Sequence, residues 1–325
     1  MPDTVAVLLP CYNEEIAIAE LVRAFRSALP QATVYVYDNN STDQTMARAA
    51  EAGAVVRREP MQGKGNVVRR MFADVEADIY VLADGDGTYD PRVAPSMIAR
   101  LVEDNLDMVV GARLTAAEGA AFRVGHRAGN RVLSGLVAAL LPSRLTDMLS
   151  GYRVFSRRFV KSFPALSRGF ETETELTIHA LELRMPVAEV PISYTSRPRG
   201  SASKLSTWRD GVRILAAVMF LFKEARPFKF FGGIAAALAL FALMLAEPLI
   251  DTYIRTGLVP RLPTAVLVTG IMVVATMSFM CGVILDTVSR GRRETKRMLY
   301  LAMPSLAASA GTRAESGPPR QAANR

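Results

Sequence analysis

Ile79-Tyr80-Val81-Leu82-Ala83-Asp84-Gly85-Asp86 is a short apolar run that ends on two carboxylates one residue apart. A run of this length, apolar throughout and bounded by turn residues, reads as a strand buried on both faces, the kind that parallel sheets contain. Ligands of such sheets gather beyond the carboxyl ends of the strands. A carboxylate pair placed there suits a hard divalent cation, Mg²⁺ or Mn²⁺, that shares its remaining coordination with phosphate oxygens. The glycines at 85 and 87 leave room for a close approach. Asp-x-Asp alone is common in ordinary turns, so the weight lies in its position.

Outward from this run, the chain alternates short apolar stretches with helical patterns, which argues for successive crossover units and an α/β fold. Val5–Leu9, Thr33–Tyr37, Ala54–Val56, Ile79–Ala83 and Met108–Gly111 read as strands; Glu15–Leu29, Asp43–Ala52, Gly65–Val75 and Pro95–Glu103 read as the helices between them. Four polar clusters then fall after the first four strands: Pro10 to Glu15, Asp38 to Asp43, Gln62 to Asn66, and Asp84 to Asp86. Any one of them is ordinary turn chemistry. Four in strand order place one functional rim on the sheet. Neither Gly-x-Gly-x-x-Gly after the first strand nor a Gly-x-x-x-x-Gly-Lys-Ser/Thr loop is present, which argues against a dinucleotide dehydrogenase and a P-loop nucleotidase.

The chain has 325 residues, 50% hydrophobic, with a net charge of +8 and a pI near 9.7. Two stretches, about 230–250 and 264–286, are long and apolar enough to cross a bilayer, whose core takes roughly 20 helical residues. Lys223, Arg226 and Lys229 precede the first, and Arg290, Arg292, Arg293, Lys296 and Arg297 follow the second, so both flanks are expected on the cytoplasmic side. The start, Met1-Pro2-Asp3-Thr4, has no signal-peptide pattern. Basic residues collect beside the spans and between Arg113 and Arg158, a distribution that favours lipid headgroups and phosphorylated substrates over nucleic acid. Ser206 to Arg226 carries Trp208, Val212, Leu215, Met219 and Phe222 at near-helical spacing and reads as an interfacial amphipathic helix. The expected organisation is a cytosolic α/β domain over 1–205, the interfacial helix over 206–228, a two-helix membrane hairpin over 229–288, and a basic segment with a disordered tail over 289–325. Gly232-Gly233 and the alanine-rich faces of the hairpin suit packing against further copies of the chain.

The ordered set Leu8-Leu9-Pro10-Cys11-Tyr12-Asn13-Glu14-Glu15, Asp38-Asn39-Asn40-Ser41-Thr42-Asp43, Gly63-Lys64-Gly65-Asn66 and Asp84-Gly85-Asp86 resembles family 2 glycosyltransferases of the GT-A fold. Asp147-Met148-Leu149-Ser150-Gly151-Tyr152-Arg153 and Glu189-Val190-Pro191-Ile192-Ser193-Tyr194, followed by Arg197 and Ser203-Lys204-Leu205, are similar to segments of the polyprenyl-phosphate glycosyltransferases, the dolichyl-phosphate mannose synthase group. The resemblance implies a Rossmann-like, mostly parallel sheet with flanking helices. It also implies an inverting transfer of a monosaccharide from a nucleotide-sugar, UDP favoured, to a polyprenyl phosphate. Pro10, Tyr12, Asn13, Glu14, Asp38, Asn40, Lys64, Asp84, Gly85 and Asp86 would bind the donor, with Asp86 and Asp84 holding Mg²⁺ or Mn²⁺. Asp86 and Asp147 would be the catalytic carboxylates; Arg113, Arg127, Arg131, Arg153, Arg197 and Lys204 would meet the acceptor phosphate.

Where relatives carry Asp-Ala-Asp-Leu-Gln, this chain has Asp84-Gly85-Asp86-Gly87-Thr88, which leaves a third metal contact to Asp90, to water or to phosphate alone. Glu171, Glu173 and Glu175 read as an acidic helix start that favours the helix dipole, and His179 has no second histidine at ligand spacing. Two alternatives stand beside the main reading. A processive polysaccharide synthase would bring more spans and a Gln-x-x-Arg-Trp motif, and a non-catalytic membrane scaffold that binds nucleotide-sugars would have no need of the intact Asp84 and Asp86.

Overall fold

A computed structural model of the chain describes residues 4–113, 145–165, 172–193, 222–223 and 226–306. Its strands are β1 (Val5–Cys11), β2 (Thr33–Asp38), β3 (Val55–Arg58), β4 (Ile79–Leu82), β5 (Met108–Arg113), β6 (Arg153–Ser156) and β7 (Val187–Ile192). Its helices are α1 (Ile18–Ala28), α2 (Thr45–Glu51), α3 (Lys64–Asp74), α4 (Ala94–Glu103), α5 (Arg157–Ser162), α6 (Thr172–Glu182), α7 (Pro227–Thr256) and α8 (Leu262–Leu301). The sheet order is β3-β2-β1-β4-β6-β5-β7, parallel except where β6 runs antiparallel between β4 and β5. The expected mostly parallel α/β sheet is thus present, with β6 and β7 added to the five strands read from the sequence.

Period-two alternation divides the core between the two faces of the sheet. Val7, Leu9, Val34, Val36 and Val81 join one cluster with Ile18, Val22 and Phe25 of α1 and Met97 and Leu101 of α4; Ala6, Leu8, Tyr80 and Leu82 join another with Val68, Met71 and Phe72 of α3 and Phe159 of α5. Helix α1 buries Ile18, Leu21, Val22 and Phe25, the three-and-four spacing that makes one apolar stripe. Each such side chain contributes about 1.5–3 kcal/mol by leaving water, so the central strands hold the loop-bearing rim rigidly.

The described residues group into two compact units, one drawn from Met1–Gly211 and Lys296–Arg325, the other from Val212–Thr295. The second contains most of α7 and α8, whose apolar windows have mean hydropathies of 2.1 and 2.2 and are long enough to cross a membrane by length and composition. Leu240, Met244, Ile254, Val266 and Met277 are exposed, and few residues of the two helices are buried: Pro227, Ala235, Ala242, Ala275 and Gly282, the last lying against Phe231. Thr269, Thr276 and Thr287 each bond their hydroxyl back to the carbonyl four residues earlier, which satisfies these three donors within the helix. Helix α8 continues to Leu301, past the expected end of the span, because the Asp286–Arg290 pair and an uninterrupted run before Pro304 carry it on. At 40 residues it is about 60 Å long, twice the roughly 30 Å of a bilayer core.

Candidate active site

Every polar cluster expected on the rim is found there, and side chains stitch neighbouring loops together. Asn13 accepts from the Thr42 backbone N–H at 2.8 Å and gives its own backbone N–H to Ser41; Glu14 and Glu15 N–H groups go to Thr45 and Asp43. Asn40 donates to the Pro60 carbonyl and to Gln62, and accepts from Arg58. Both asparagines hold left-handed backbone, with φ of 53° and 67°, which asparagine tolerates better than most residues. The two residues read as donor contacts therefore spend their side chains on loop geometry. Asn39, which the sequence reading passed over, does the same from a buried position: it donates to the Glu59 and Met61 carbonyls and accepts from Gly63 N–H.

Asp38 is different. It is 1% exposed, one oxygen accepts from Ser41 N–H at 3.0 Å, and Oδ1 has no hydrogen-bond partner among the described residues. A buried carboxylate oxygen without a partner is costly, and this one leaves an open acceptor at the end of β2.

At the end of β4, Asp84 meets the Lys64 ammonium, which simultaneously meets Glu173. Burial pulls the lysine pKa down, but the two carboxylates outweigh it and hold the ammonium above the ordinary lysine value. Asp84 also lies tightly against Gly151: a Cβ there would stand 2.5 Å from Asp84 Oδ2. Gly85 is required by its neighbour in β1, since a Cβ at 85 would fall 2.4 Å from Cys11 Sγ and 3.2 Å from the Pro10 carbonyl. Asp86, 4% exposed, accepts from the backbone and hydroxyl of Thr88 at 3.1 and 2.7 Å. Thr88 thus orients this carboxylate. Asp90, which the sequence left open as a third metal contact beside water and phosphate, caps the 3-10 turn Pro91–Val93 and forms a fork with Arg92, so its carboxylate is committed to the surface.

Beyond Asp84, the Gly151 N–H donates to the Tyr89 hydroxyl at 2.9 Å, and the charges of Asp84, Arg113 and Lys64 all reach that buried phenol. Burial, then Asp84, push its pKa well above the usual tyrosine range. Arg113, at the end of β5, makes a two-pronged pair with Asp147: Nε to Oδ2 at 2.7 Å and Nη2 to Oδ1 at 2.8 Å, with its backbone N–H adding a third bond. Glu189 in β7 fixes this segment by accepting from Thr146 and Asp147 N–H groups and from the Thr146 hydroxyl. Burial raises the Asp147 pKa, but Arg113 overrides it and keeps the carboxyl below its ordinary value. Asp147 is therefore an ionised orienter of Arg113, a poor proton acceptor.

Arg153, read as an acceptor contact, needs correction. It is 0% exposed, and its guanidinium donates to the Ser150 and Met148 carbonyls at 2.9 and 2.6 Å and to the Thr177 hydroxyl at 2.8 Å. Burial lowers its pKa to about 10, leaving it charged at neutral pH. Its work is to hold the 148–151 loop, and through it Gly151, in place. Glu173 needs correction as well, because it turns inward to Lys64 instead of serving only the helix start. His179 is a core residue: Nε2 lies 3.1 Å from Ser162 Oγ, and Phe159 and Phe163 meet the ring edge-on. Arg127, Arg131, Arg197, Lys204 and most of the expected interfacial helix lie outside the described residues.

Among the described residues no three His, Cys, Asp or Glu side chains form a metal cage. The donor set still fits Mg²⁺ or Mn²⁺, which are commonly held by one or two carboxylates and completed by substrate phosphates; Asp84 and Asp86 are the pair that would do so.

Comparison with known proteins gives the family and the fold. The sequence model of glycosyl transferase family 2 matches residues 6–163. The glycosyltransferase AglJ of Haloferax volcanii is 32% identical over 299 residues, 91% of this chain and 98% of its own. The chain belongs to glycosyl transferase family 2. A dolichyl-phosphate hexose transferase of Haloferax volcanii is 28% identical over 224 residues, 69% of this family 2 chain and 96% of its own. Among solved structures, glucosyl-3-phosphoglycerate synthase of Mycobacterium tuberculosis, in complex with phosphoglyceric acid, superposes with a TM-score of 0.54 at 25% identity, over 67% of this chain and 79% of that one. The chain is thus a glycosyltransferase with a GT-A-like catalytic fold.

Proposed function

We propose that this glycosyltransferase transfers a monosaccharide, with inversion, from a UDP-sugar to a polyprenyl phosphate at the cytoplasmic face of a membrane. One observation carries the reading: the donor loops share a chain with two helices whose outer faces are apolar over a span's length, equipment that a water-soluble acceptor does not require. The dolichyl-phosphate hexose transferase among its relatives supports a lipid-phosphate acceptor. The unpartnered Asp38 oxygen supports a nucleotide at the β2 end.

In this reading an acceptor phosphate oxygen attacks the anomeric carbon, the bond from that carbon to the donor diphosphate breaks, and the nucleoside diphosphate leaves with the electron pair. A phosphate monoester with a second pKa near 6 is largely dianionic at neutral pH, so no strong base is needed. This agrees with the depressed pKa of Asp147. Arg113, locked in orientation by Asp147, supplies cationic positioning for the acceptor. The Asp84–Asp86 turn receives the diphosphate, with the Lys64 ammonium held beside it. A divalent cation held by Asp86 and Asp84 would neutralise charge on the leaving group. Arg127, Arg131, Arg197 and Lys204 complete the proposed acceptor set.

The test is incubation of the purified full chain with Mg²⁺ or Mn²⁺, a short polyprenyl phosphate and a panel of UDP- and GDP-sugars. Nucleoside diphosphate release and glycolipid mass are read together. Lipid-dependent release and a matching polyprenyl phosphosugar are expected; no lipid-dependent release with any donor refutes the proposal.

A further inference from the structure

Lys64 is held between two carboxylates that come from distant parts of the chain, Asp84 at the end of β4 and Glu173 in the first turn of α6. Only Asp84 belongs to the strand-end turn that faces the donor in the proposed function. Glu173 is buried, and its helix is pinned: the Thr177 hydroxyl donates to the Glu173 carbonyl at 3.0 Å and accepts from Arg153 at 2.8 Å. The first turn of a helix favours an acidic side chain through the helix dipole, and the Arg153 and Glu173 charges reach one another. Glu173 is thus a fixed anion beneath a lysine whose four-carbon stem swings more readily than the helix.

We propose that Glu173 is a positioning residue for donor binding: it keeps the Lys64 ammonium in place when Asp84 gives up that ammonium to receive the nucleoside diphosphate and its divalent cation. The proposal rests on the donor reading given above and deepens it. With the site empty, one ammonium is shared by two carboxylates. When Asp84 turns to the donor, the remaining Lys64–Glu173 pair is neutral, so the ammonium neither follows Asp84 nor is left buried without a counter-charge, an arrangement costly enough to oppose binding. Without the Glu173 charge, Asp84 is the only anion among the described residues paired with Lys64, and the donor has to break a buried ion pair to reach it. The lysine would then act as a competitor for its own site.

The experiment is calorimetric titration of UDP, with saturating Mn²⁺, into the full chain in lipid nanodiscs, a binding readout that needs neither acceptor nor turnover. Glu173→Gln should weaken UDP binding on the order of tenfold, the scale seen when the support of a metal-site residue is removed. Glu173→Asp, which restores the charge, should recover part of the loss. In a Lys64→Met background Glu173→Gln should cost nothing further, since the effect runs through Lys64. Undiminished UDP affinity in Glu173→Gln overturns the proposal, as does a Glu173→Asp variant no better than Glu173→Gln, or a further loss in the Lys64→Met background. Should Glu173→Gln fail to fold, the double variant, which buries no orphan charge, decides by comparison with Lys64→Met alone. If the wild-type chain binds no UDP, the donor reading falls and this one with it; if it binds and Glu173→Gln binds equally, this one alone falls.

Discussion

Gly151→Ala puts a methyl group where the Asp84 carboxylate lies. A Cβ at 151 would stand 2.5 Å from Asp84 Oδ2, 2.9 Å from Cγ and 3.1 Å from Oδ1, so Oδ2 falls about 0.9 Å inside the 3.4 Å at which ordinary contact begins. Gly151 is not among the described residues with positive φ, so the substitution adds no left-handed strain, and the three nearest atoms it meets all belong to Asp84. That carboxylate is also tied to Lys64, and its retreat breaks or stretches the pair. Overpacking of this kind costs about 1–3 kcal/mol of stability, which leaves the domain folded. A misplacement near 1 Å in a positioning group, by contrast, costs on the order of 10²-fold in turnover. The expected result is a chain whose thermal unfolding changes little and whose kcat/KM for the nucleotide-sugar falls by about two orders of magnitude. Measurement of lipid-dependent glycosyl transfer beside an unfolding curve separates the two. A folded Gly151→Ala variant with wild-type kcat/KM would refute the assignment of Asp84, held against Gly151, to the donor.

The neighbouring glycine offers a rescue test: Gly85→Ala meets Cys11 Sγ at 2.4 Å and should destabilise by about 1–3 kcal/mol, and Cys11→Ala in the same chain should restore most of the loss in a chemical unfolding curve. No rescue would place the strain elsewhere. Burial lowers the His179 pKa from 6.5 to about 3, with Lys296 adding to it; the unfolded chain therefore takes up a proton that the folded chain refuses as pH falls through 6.5. Between pH 7 and pH 5 this group should remove about 2 kcal/mol of stability, and His179→Gln should flatten that part of the stability profile; an unchanged slope would count against a neutral buried imidazole. Tyr300 donates to Asp107 at 2.7 Å, where Ser156 and Arg158 also donate. Tyr300→Phe should cost only about 1 kcal/mol, because Asp107 keeps its other partners, and a loss of several kcal/mol in the unfolding curve would mean that the tyrosine does more than fill one bond.

The strands that could be read from the sequence are those whose apolar run is continuous and closely followed by a polar loop, β1, β2, β4 and β5 above all. β6 escaped because Arg153-Val154-Phe155-Ser156 begins with a guanidinium and ends with a hydroxyl. No periodicity announces that this arginine points into the core and is satisfied there by two carbonyls and a threonine. The same burial misled the reading of function, since an arginine inside a family segment looks like a phosphate contact until its partners are known. Asn13 and Asn40 show the converse. Their positions on the rim were legible, but the choice between touching a ligand and holding a loop depends on cross-loop bonds to Thr42, Pro60 and Gln62, which lie 20 or more residues away.

Glu173 marks the point at which local reading fails for a physical reason. Its neighbours Glu171, Thr172, Thr174 and Glu175 make an acidic helix start, and the dipole explanation is sufficient for such a start. What removes Glu173 from that explanation is one ammonium 109 residues away in sequence, brought there because α3 begins directly after the third loop and β4 ends beside it. Chain topology, and no property of residues 171–175, converts an anion of the first helical turn into a partner of the Lys64–Asp84 pair. The same topology explains why Lys64 can serve Asp84 at all: α3 presents the lysine at its first residue, where the flexible side chain reaches across to the neighbouring strand end. A lysine one turn later on α3 would lie about 5.4 Å farther along the helix axis, and the three charges would no longer converge.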